Sequence, residues 1–319
     1  MSNLVFSLGV TMPVFLMVVL GYVFRLTGMM DELFAKNLND FVFKVLLPVM
    51  LFKQLATTDF ISKWDGGLVL YCFCASLASI LLMVLVAKLL VKPRQRGEFI
   101  QGSFRASQAL LGLAYLNNLY GKSDYLSLML ISSVILYNTA AVIILMVYAP
   151  AAGVAAVPAD GKKIAGHIAK GIVTNPLIIG MVAGIVWCVL GLPLEGVFEK
   201  VVTDVAKLAT PLGLIAMGAS LDLKKMSGEL GCALLTAFFK LIGLAAIFLP
   251  LAALLGYSGE KLATLLIMLG APTTVSAYVM AKKAGYEGVL TSDTVILTTV
   301  LSSFTMTFWI WALKSFGLI

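Results

Sequence analysis

In a chain this apolar, ionisable residues far from any polar stretch are the first places to look for chemistry, because a charge at the centre of a bilayer costs roughly 2.5 to 3.5 kcal/mol on insertion scales. Four cations and one acid stand in such positions: Lys44, Arg105, Lys207, Lys240 and Asp293. Lys44 and Lys207 each lie four residues before a proline, Pro48 and Pro211. A lysine there can attract a carboxylate, with Arg105 and Lys240 contributing positive field. Local neutralisation competes with that reading, since Asp40 and Asp204 lie one helical turn before the two lysines. Asp293 is a candidate for binding a coupling H⁺ or Na⁺, against a helix N-cap made by Thr291-Ser292-Asp293 before an apolar run. Asn138, within Leu136-Tyr137-Asn138-Thr139, can hydrogen-bond a substrate or a neighbouring helix.

A second kind of chemistry uses the backbone. Met268-Leu269-Gly270-Ala271-Pro272-Thr273-Thr274 puts Gly and Pro, the two poorest helix residues, inside an apolar segment with hydroxyls beside them. An interruption there exposes amides at a half-helix N-terminus, a natural seat for a carboxylate. The equivalent point in the first half, aligned through Tyr120-Gly121 against Ala284-Gly285, is Ser107-Gln108-Ala109-Leu110, polar but without proline. At both places the competing reading is a kinked helix whose freed groups are satisfied by neighbours.

The elements that must position these groups follow from composition. Of 319 residues, 61% are hydrophobic and 12% charged, with a mean hydropathy of +1.01, which is outside the soluble range and makes lipid the solvent. Spanning ~30 Å of hydrocarbon takes roughly 20 apolar residues, and the sequence supplies that length ten times, at about 5–25, 37–56, 66–90, 98–119, 126–148, 172–190, 201–220, 229–255, 260–283 and 291–313. Alternating segments of ~10 residues are absent, which excludes a β-barrel. Met1-Ser2-Asn3 lacks a basic stretch and no small-residue cleavage site follows, so the first span reads as retained. Cys72, Cys74, Cys188 and Cys232 all fall in apolar segments and read as packing residues, with no disulfide framework and no metal site.

The net charge of +7 is explained by topology rather than by nucleic acid. With the N-terminus outside, thirteen Lys and Arg fall in inside loops and six in outside loops. That bias puts both termini on the outer side of the cell membrane, with an even number of spans.

Residues 10–48 laid over 173–211, an offset of 163, match at eleven positions, among them Pro13/Pro176, Gly21/Gly184, Gly28/Gly191, Glu32/Glu195, Lys44/Lys207 and Pro48/Pro211. Five spans in each half turn the second half upside down, the inverted-repeat plan of many secondary transporters. The polar interval 149–170 reads as the cytoplasmic loop between the halves, with the lone His167 as a solvated loop residue. Gly180 and Gly184 read as helix-packing positions. No Walker sequence, nucleotide loop or catalytic constellation is present, so an ATP-driven pump and an enzyme both lack support, and the expectation is a carrier driven by gradients. The readings set against it are a membrane-embedded receptor or sensor and an intramembrane enzyme.

The stretch from Arg105 through Ser107-Gln108-Ala109-Leu110-Leu111-Gly112-Leu113-Ala114, followed by Leu119-Tyr120-Gly121, resembles the fourth span of the auxin efflux carrier family. Asn175-Pro176 with Gly184, Thr210-Pro211-Leu212 leading to Gly218-Ala219-Ser220-Leu221, and Gly270-Ala271-Pro272 before Ala284-Gly285 resemble its sixth, seventh and ninth spans. The resemblance covers nearly the whole chain. Ser107 and Ala114 stand where the family's fourth span usually has Asn and Pro. The resemblance implies an all-α integral membrane fold of ten transmembrane helices, built as two inverted five-helix repeats with broken, crossing helices 4 and 9, related to the sodium/bile-acid symporter fold. It also implies a scaffold of residues 1–60 and 171–222 (helices 1–2 and 6–7) and a transport unit of residues 61–148 and 223–319 (helices 3–5 and 8–10). Alternating access of an elevator type, a homodimer built through the scaffold, and a small carboxylate substrate of the malate, malonate or auxin kind follow from the same resemblance, with no cofactor beyond a coupling H⁺ or Na⁺.

Overall fold

The computed structural model describes residues 2–57, 64–121, 123, 125–149, 173–220 and 229–319, so His167 and nearly all of the interval 149–170 lie outside the described residues. Every regular element among the described residues is helical. In order they are α1 (Ser2–Leu26), α2 (Glu32–Phe41), a π turn (Val42–Leu46), α3 (Leu47–Ala56), α4 (Gly66–Leu90), a 3₁₀ turn (Pro93–Gln95), α5 (Arg96–Phe104), α6 (Gln108–Tyr120) and α7 (Leu126–Tyr148). There follow α8 (Pro176–Val189), α9 (Gly196–Ala219), α10 (Leu230–Phe238), a second π turn (Phe239–Gly243), α11 (Leu244–Leu254), α12 (Gly259–Gly270), α13 (Val275–Lys283) and α14 (Val289–Ser315).

Among the described residues, six helical stretches are long and apolar enough to cross a membrane: Asn3–Leu26, Gly66–Leu90, Leu126–Tyr148, Gly196–Ala219, Leu230–Leu254 and Val289–Ser315. Pro176–Val189 is a shorter apolar helix. The apolar segments read at 37–56, 98–119 and 260–283 are not single regular helices. The first is α2 and α3 joined through a π turn just before Pro48, whose ring would clash with the carbonyl four residues back in a regular helix. The other two are broken outright, into α5 and α6 and into α12 and α13.

The broken helices form the centre of the molecule. Every residue of Gly97–Phe104 and of Leu262–Gly270 is buried, as expected of helices with neighbours on all sides. The long helices are buried on one face only. Leu81, Leu85 and Leu89 of α4, for example, are exposed, which suits a helix whose outer face meets lipid.

Glycines set the closest approaches. A Cβ on Gly21 of α1 would run into the backbone of Ile215 on α9, and one on Gly218 of α9 into the backbone of Val18 on α1. In the same way a Cβ on Gly184 of α8 would lie 2.7 Å from Phe52 O of α3, and one on Gly180 2.5 Å from Pro48 O. Backbone contact this close requires small residues, as the packing reading of Gly180 and Gly184 expected. Adding 163 to Phe52 gives Ile215, and adding 163 to Gly21 gives Gly184, so the two contacts are the same contact with the halves exchanged.

Candidate functional site

The two interruptions meet. α12 ends because Pro272 has no N–H to continue it and holds the preceding Ala271 in an extended conformation, with φ −67° and ψ 149°. α5 ends without a proline, and the chain runs through Arg105, Ala106 and Ser107 before α6 begins at Gln108. The Ser107 N–H donates to the carbonyl oxygen of Pro272 at 2.8 Å, and α6 packs along α12 while α5 touches α13. The first interruption therefore lies at 105–107. Gln108, Ala109 and Leu110 form the opening turn of α6 rather than part of the break.

Neighbouring side chains satisfy the carbonyls that the breaks leave free. Thr273 Oγ1 donates to Gly102 O at 2.7 Å, and Lys240 Nζ donates to Leu269 O at 2.7 Å. Thr273 N–H in turn donates to Thr298 Oγ1 at 3.1 Å. The Thr274 side chain caps α13, accepting from Ser276 N–H. At the start of α6 the amides are not capped: Ser107 makes no side-chain cap, and the N–H groups of Gln108, Ala109 and Leu110 have no hydrogen-bond partner among the described residues. Gln108 is buried, its Oε1 accepts from Ser133 Oγ at 2.7 Å, and its Nε2 has no partner among the described residues.

Two buried cations flank this junction. Arg105, 6% exposed, reaches Asn138 Oδ1 at 2.8 Å, Ser276 Oγ at 3.1 Å and Met280 Sδ at 3.0 Å, all neutral groups. Lys240, fully buried on the second π turn, sits at the C-terminal end of α12, where the helix dipole is negative. Among the described residues neither cation has a carboxylate within ion-pair distance. Positive potential at low dielectric is thereby concentrated beside uncapped amide donors, an arrangement that favours an anion.

A family described as "Membrane transport protein" has a model that matches residues 6–310. The chain belongs to the membrane transport protein family. It is 25% identical over 325 aligned positions, covering 96% of both chains, to a protein of Rhizobium meliloti (strain 1021) named "Putative malonate transporter". It is 22% identical over 315 positions, covering 96% of this chain and 98% of the other, to an uncharacterized transporter of Methanocaldococcus jannaschii. The family and these names are those of membrane transporters, not enzymes, and the auxin efflux carrier resemblance read from the sequence is to this same family.

Within this member of the membrane transport protein family, Arg105, Ser107, Gln108, Ala109, Asn138, Lys240, Gly270, Ala271, Pro272, Thr273 and Thr274 are brought together. Asn138 serves as acceptor for Arg105 and donates to Val134 O. Lys44 and Lys207 stand apart from the junction. Lys44 pairs with Asp40 at 2.8 Å and Lys207 with Asp204 at 4.0 Å, on side chains 62% and 72% exposed. Asp293 is buried within α14, whose N-cap is Gly288 at φ 74°. The N-cap reading of Asp293 is therefore corrected: a left-handed glycine starts the helix before Val289, earlier than the Thr-Ser-Asp sequence suggests.

Sequence reasoning does not find Glu98. Its buried Oε2 accepts from Thr291 N–H at 2.9 Å and Thr291 Oγ1 at 2.6 Å, in the first turn of α14. Glu260 plays the mirrored part, accepting from Ser123 Oγ at 2.8 Å and Tyr125 N–H at 3.3 Å just before α7. An acid opening each interrupted segment was the available signal. A hollow of about 430 Å³ lies beside Glu260 and is lined by Tyr125, Tyr257 and Lys261 among others; its lysine is engaged by Asp65 at 2.6 Å. It lies away from the junction and holds an already neutralised cation.

Proposed function

We propose that this protein is a secondary transporter that carries a small organic anion, a mono- or dicarboxylate of the malonate, malate or auxin-like kind, across the cell membrane. The observation that carries the proposal is the meeting of two interrupted helices at Ser107 and Pro272, with uncapped α6 amides and the neutral-partnered Arg105 and Lys240 beside them. The "Putative malonate transporter" name of one relative supports the substrate class.

In this reading α1, α2–α3, α4, α5/α6, α7, α8, α9, α10–α11, α12/α13 and α14 are ten spans in two inverted five-helix repeats. The exchange relation between Gly21 on Ile215 and Gly184 on Phe52 supports a two-fold relation between the halves. α1–α3, α8 and α9 would form the scaffold and the remaining helices a unit that moves past it, carrying the anion at the junction by alternating access of the elevator type. Both termini on the outer side, a homodimer through the scaffold, and H⁺ or Na⁺ coupling involving Asp293 belong to the same proposal.

The test is counterflow. Purified protein in liposomes preloaded with unlabelled acid is expected to accumulate the labelled acid, and Arg105→Gln to reduce that accumulation at least tenfold while the protein stays monodisperse. Absence of counterflow across a broad panel of mono- and dicarboxylates would overturn the reading.

A further inference from the structure

The buried acid Glu98 has no counter-charge among the described residues, where no ion pair includes it. A carboxylate at low dielectric is costly unless a cation or a proton joins it. Its two bonds from Thr291 fix it between α5 and α14. The same helices touch again one turn further on, where a Cβ on Gly102 would lie 3.2 Å from Thr294 Cγ2. Glu98 and Gln101 stand at i and i+3 on α5, and Thr291 and Thr294 at i and i+3 on α14, so each pair shares a helix face. Gln101 is fully buried, and its Nε2 donates to Ala277 O of α13 at 3.4 Å. A carbonyl only accepts, so that bond fixes which end of the amide is oxygen. Gln101 Oε1 has no hydrogen-bond partner among the described residues, and neither has Thr294 Oγ1, which is also fully buried. Oxygens left unpaired in the same interface as an unbalanced carboxylate all lack one thing, a small positive ligand.

We propose that Glu98, Gln101 and Thr294, with the Thr291 hydroxyl, form a Na⁺ site that couples cation binding to the anion at the junction. The donors are all oxygen, which suits a hard cation rather than a metal that prefers thiolate or imidazole. One carboxylate balances one positive charge, whereas a divalent ion would leave excess charge in a low-dielectric interior. The close approach of α5 to α14 at Gly102 leaves room only for a compact ion, which favours Na⁺ over K⁺. The route to the junction is short. Gly102 O accepts from Thr273 Oγ1 at 2.7 Å, and Thr273 N–H donates to Thr298 Oγ1, one turn beyond Thr294 on α14. An ion bridging α5 and α14 therefore steadies the two segments that hold Thr273 beside Pro272, and by linkage the cation and the anion raise each other's affinity by one common factor. This inference rests on the carrier reading and moves its coupling ion from Asp293 to this oxygen cluster.

The experiment measures thermal stabilisation of the purified full-length protein by NaCl, KCl and choline chloride at one ionic strength and neutral pH. Na⁺ is expected to raise the midpoint in a saturable way, while K⁺ and choline leave it where it is. Glu98→Gln, which keeps an oxygen for the Thr291 N–H, should abolish the Na⁺ shift, and Gln101→Leu and Thr294→Val should each weaken Na⁺ about tenfold or more. In liposomes, Na⁺ should lower the acid concentration for half-maximal counterflow in wild type and not in Glu98→Gln; counterflow indifferent to Na⁺ would overturn the coupling. No Na⁺-specific shift in wild type, a shift that survives in all three variants, or one abolished by Asp293→Asn alone would overturn the site and leave the carrier reading standing. Stabilisation by acid in place of Na⁺, lost in Glu98→Gln, would overturn it too and make Glu98 a proton site. Should Glu98→Gln fail to fold, the Gln101→Leu and Thr294→Val titrations decide on the same criterion. Counterflow absent across the acid panel, with the Na⁺ shift present in wild type and lost in the variants, would overturn the carrier reading and leave the cation site.

Discussion

Ser107 and Pro272 complete each other: the first interruption supplies an N–H, the second a carbonyl, and the 2.8 Å bond between them joins two breaks that sequence places 165 residues apart. Because the bond uses the backbone of Ser107, the residue's side chain is dispensable to it and its N–H is not. Ser107→Ala is expected to leave thermal stability close to wild type. Ser107→Pro keeps a φ near −78° but removes the N–H and puts the ring Cδ in its place against the Pro272 carbonyl, so its loss combines the hydrogen bond with a steric clash. The unpaired Pro272 carbonyl alone costs about 1 to 3 kcal/mol, and the clash adds to it. Thermal unfolding of the two variants in detergent checks this, and equal midpoints would remove the bond from the account.

Lys240 offers a way to separate stability from binding. Replacing a buried charge with an apolar side chain of similar volume is often neutral or stabilising. Lys240→Met is accordingly expected to keep or raise the thermal midpoint while weakening carboxylate binding about tenfold, because the positive field at the junction falls. A variant that unfolds more easily and binds the anion as well as wild type would show that the ammonium serves only to hold the Leu269 carbonyl.

How far these features were legible in the sequence depends on whether one residue or many carry the signal. The 66–90 and 126–148 segments coincide with α4 and α7, since 20 or more consecutive apolar residues leave little choice of boundary. The second interruption was legible because Gly270 and Pro272 break a helix by themselves. The first was displaced toward α6, because no residue of Arg105-Ala106-Ser107 is a helix breaker and the break is held by tertiary bonds from Arg105 to α7 and α13. The same limit hid Glu98, whose partner Thr291 is 193 residues away. Lys44 and Lys207 show the reverse case: their acids lie on the same helix, and the local pairing that spacing alone made available is what forms.

The glycine contacts predict matched effects in the two halves. Gly21→Ala and Gly184→Ala each push a Cβ into backbone that has no flexible end to move aside. Overpacking of this kind costs about 1 to 3 kcal/mol, and an exchange-related pair should pay similar amounts. Gly231→Ala, in α10 with nothing within 4 Å of its added Cβ, is the control and should keep or raise the midpoint, since alanine favours the helix. Thermal melts of the three variants compare them directly. A large loss at one of the paired glycines and none at the other would break the exchange relation.

Asp65 gives a prediction whose sign follows from its surroundings. It stands just before α4, and its carboxylate is held below the usual value of 3.8 first by the hydrogen bond from Lys261 and then by the Leu68 N–H that it caps. A carboxylate with a depressed folded pKa contributes stability that is fully present above its unfolded value and is lost as pH falls through the folded one. Asp65→Asn removes that contribution. The midpoint of wild type should therefore exceed that of Asp65→Asn by a constant margin from neutral pH down to about pH 5, and the margin should shrink as pH drops through and below 3.8. Because the side chains of Asp65 and Lys261 are 23% and 34% exposed, salt should also narrow the margin at neutral pH. Melts in buffers from pH 3 to pH 7, at low and high salt, read both effects; a margin that grows on acidification would mean that the ion pair is not what the carboxylate contributes through.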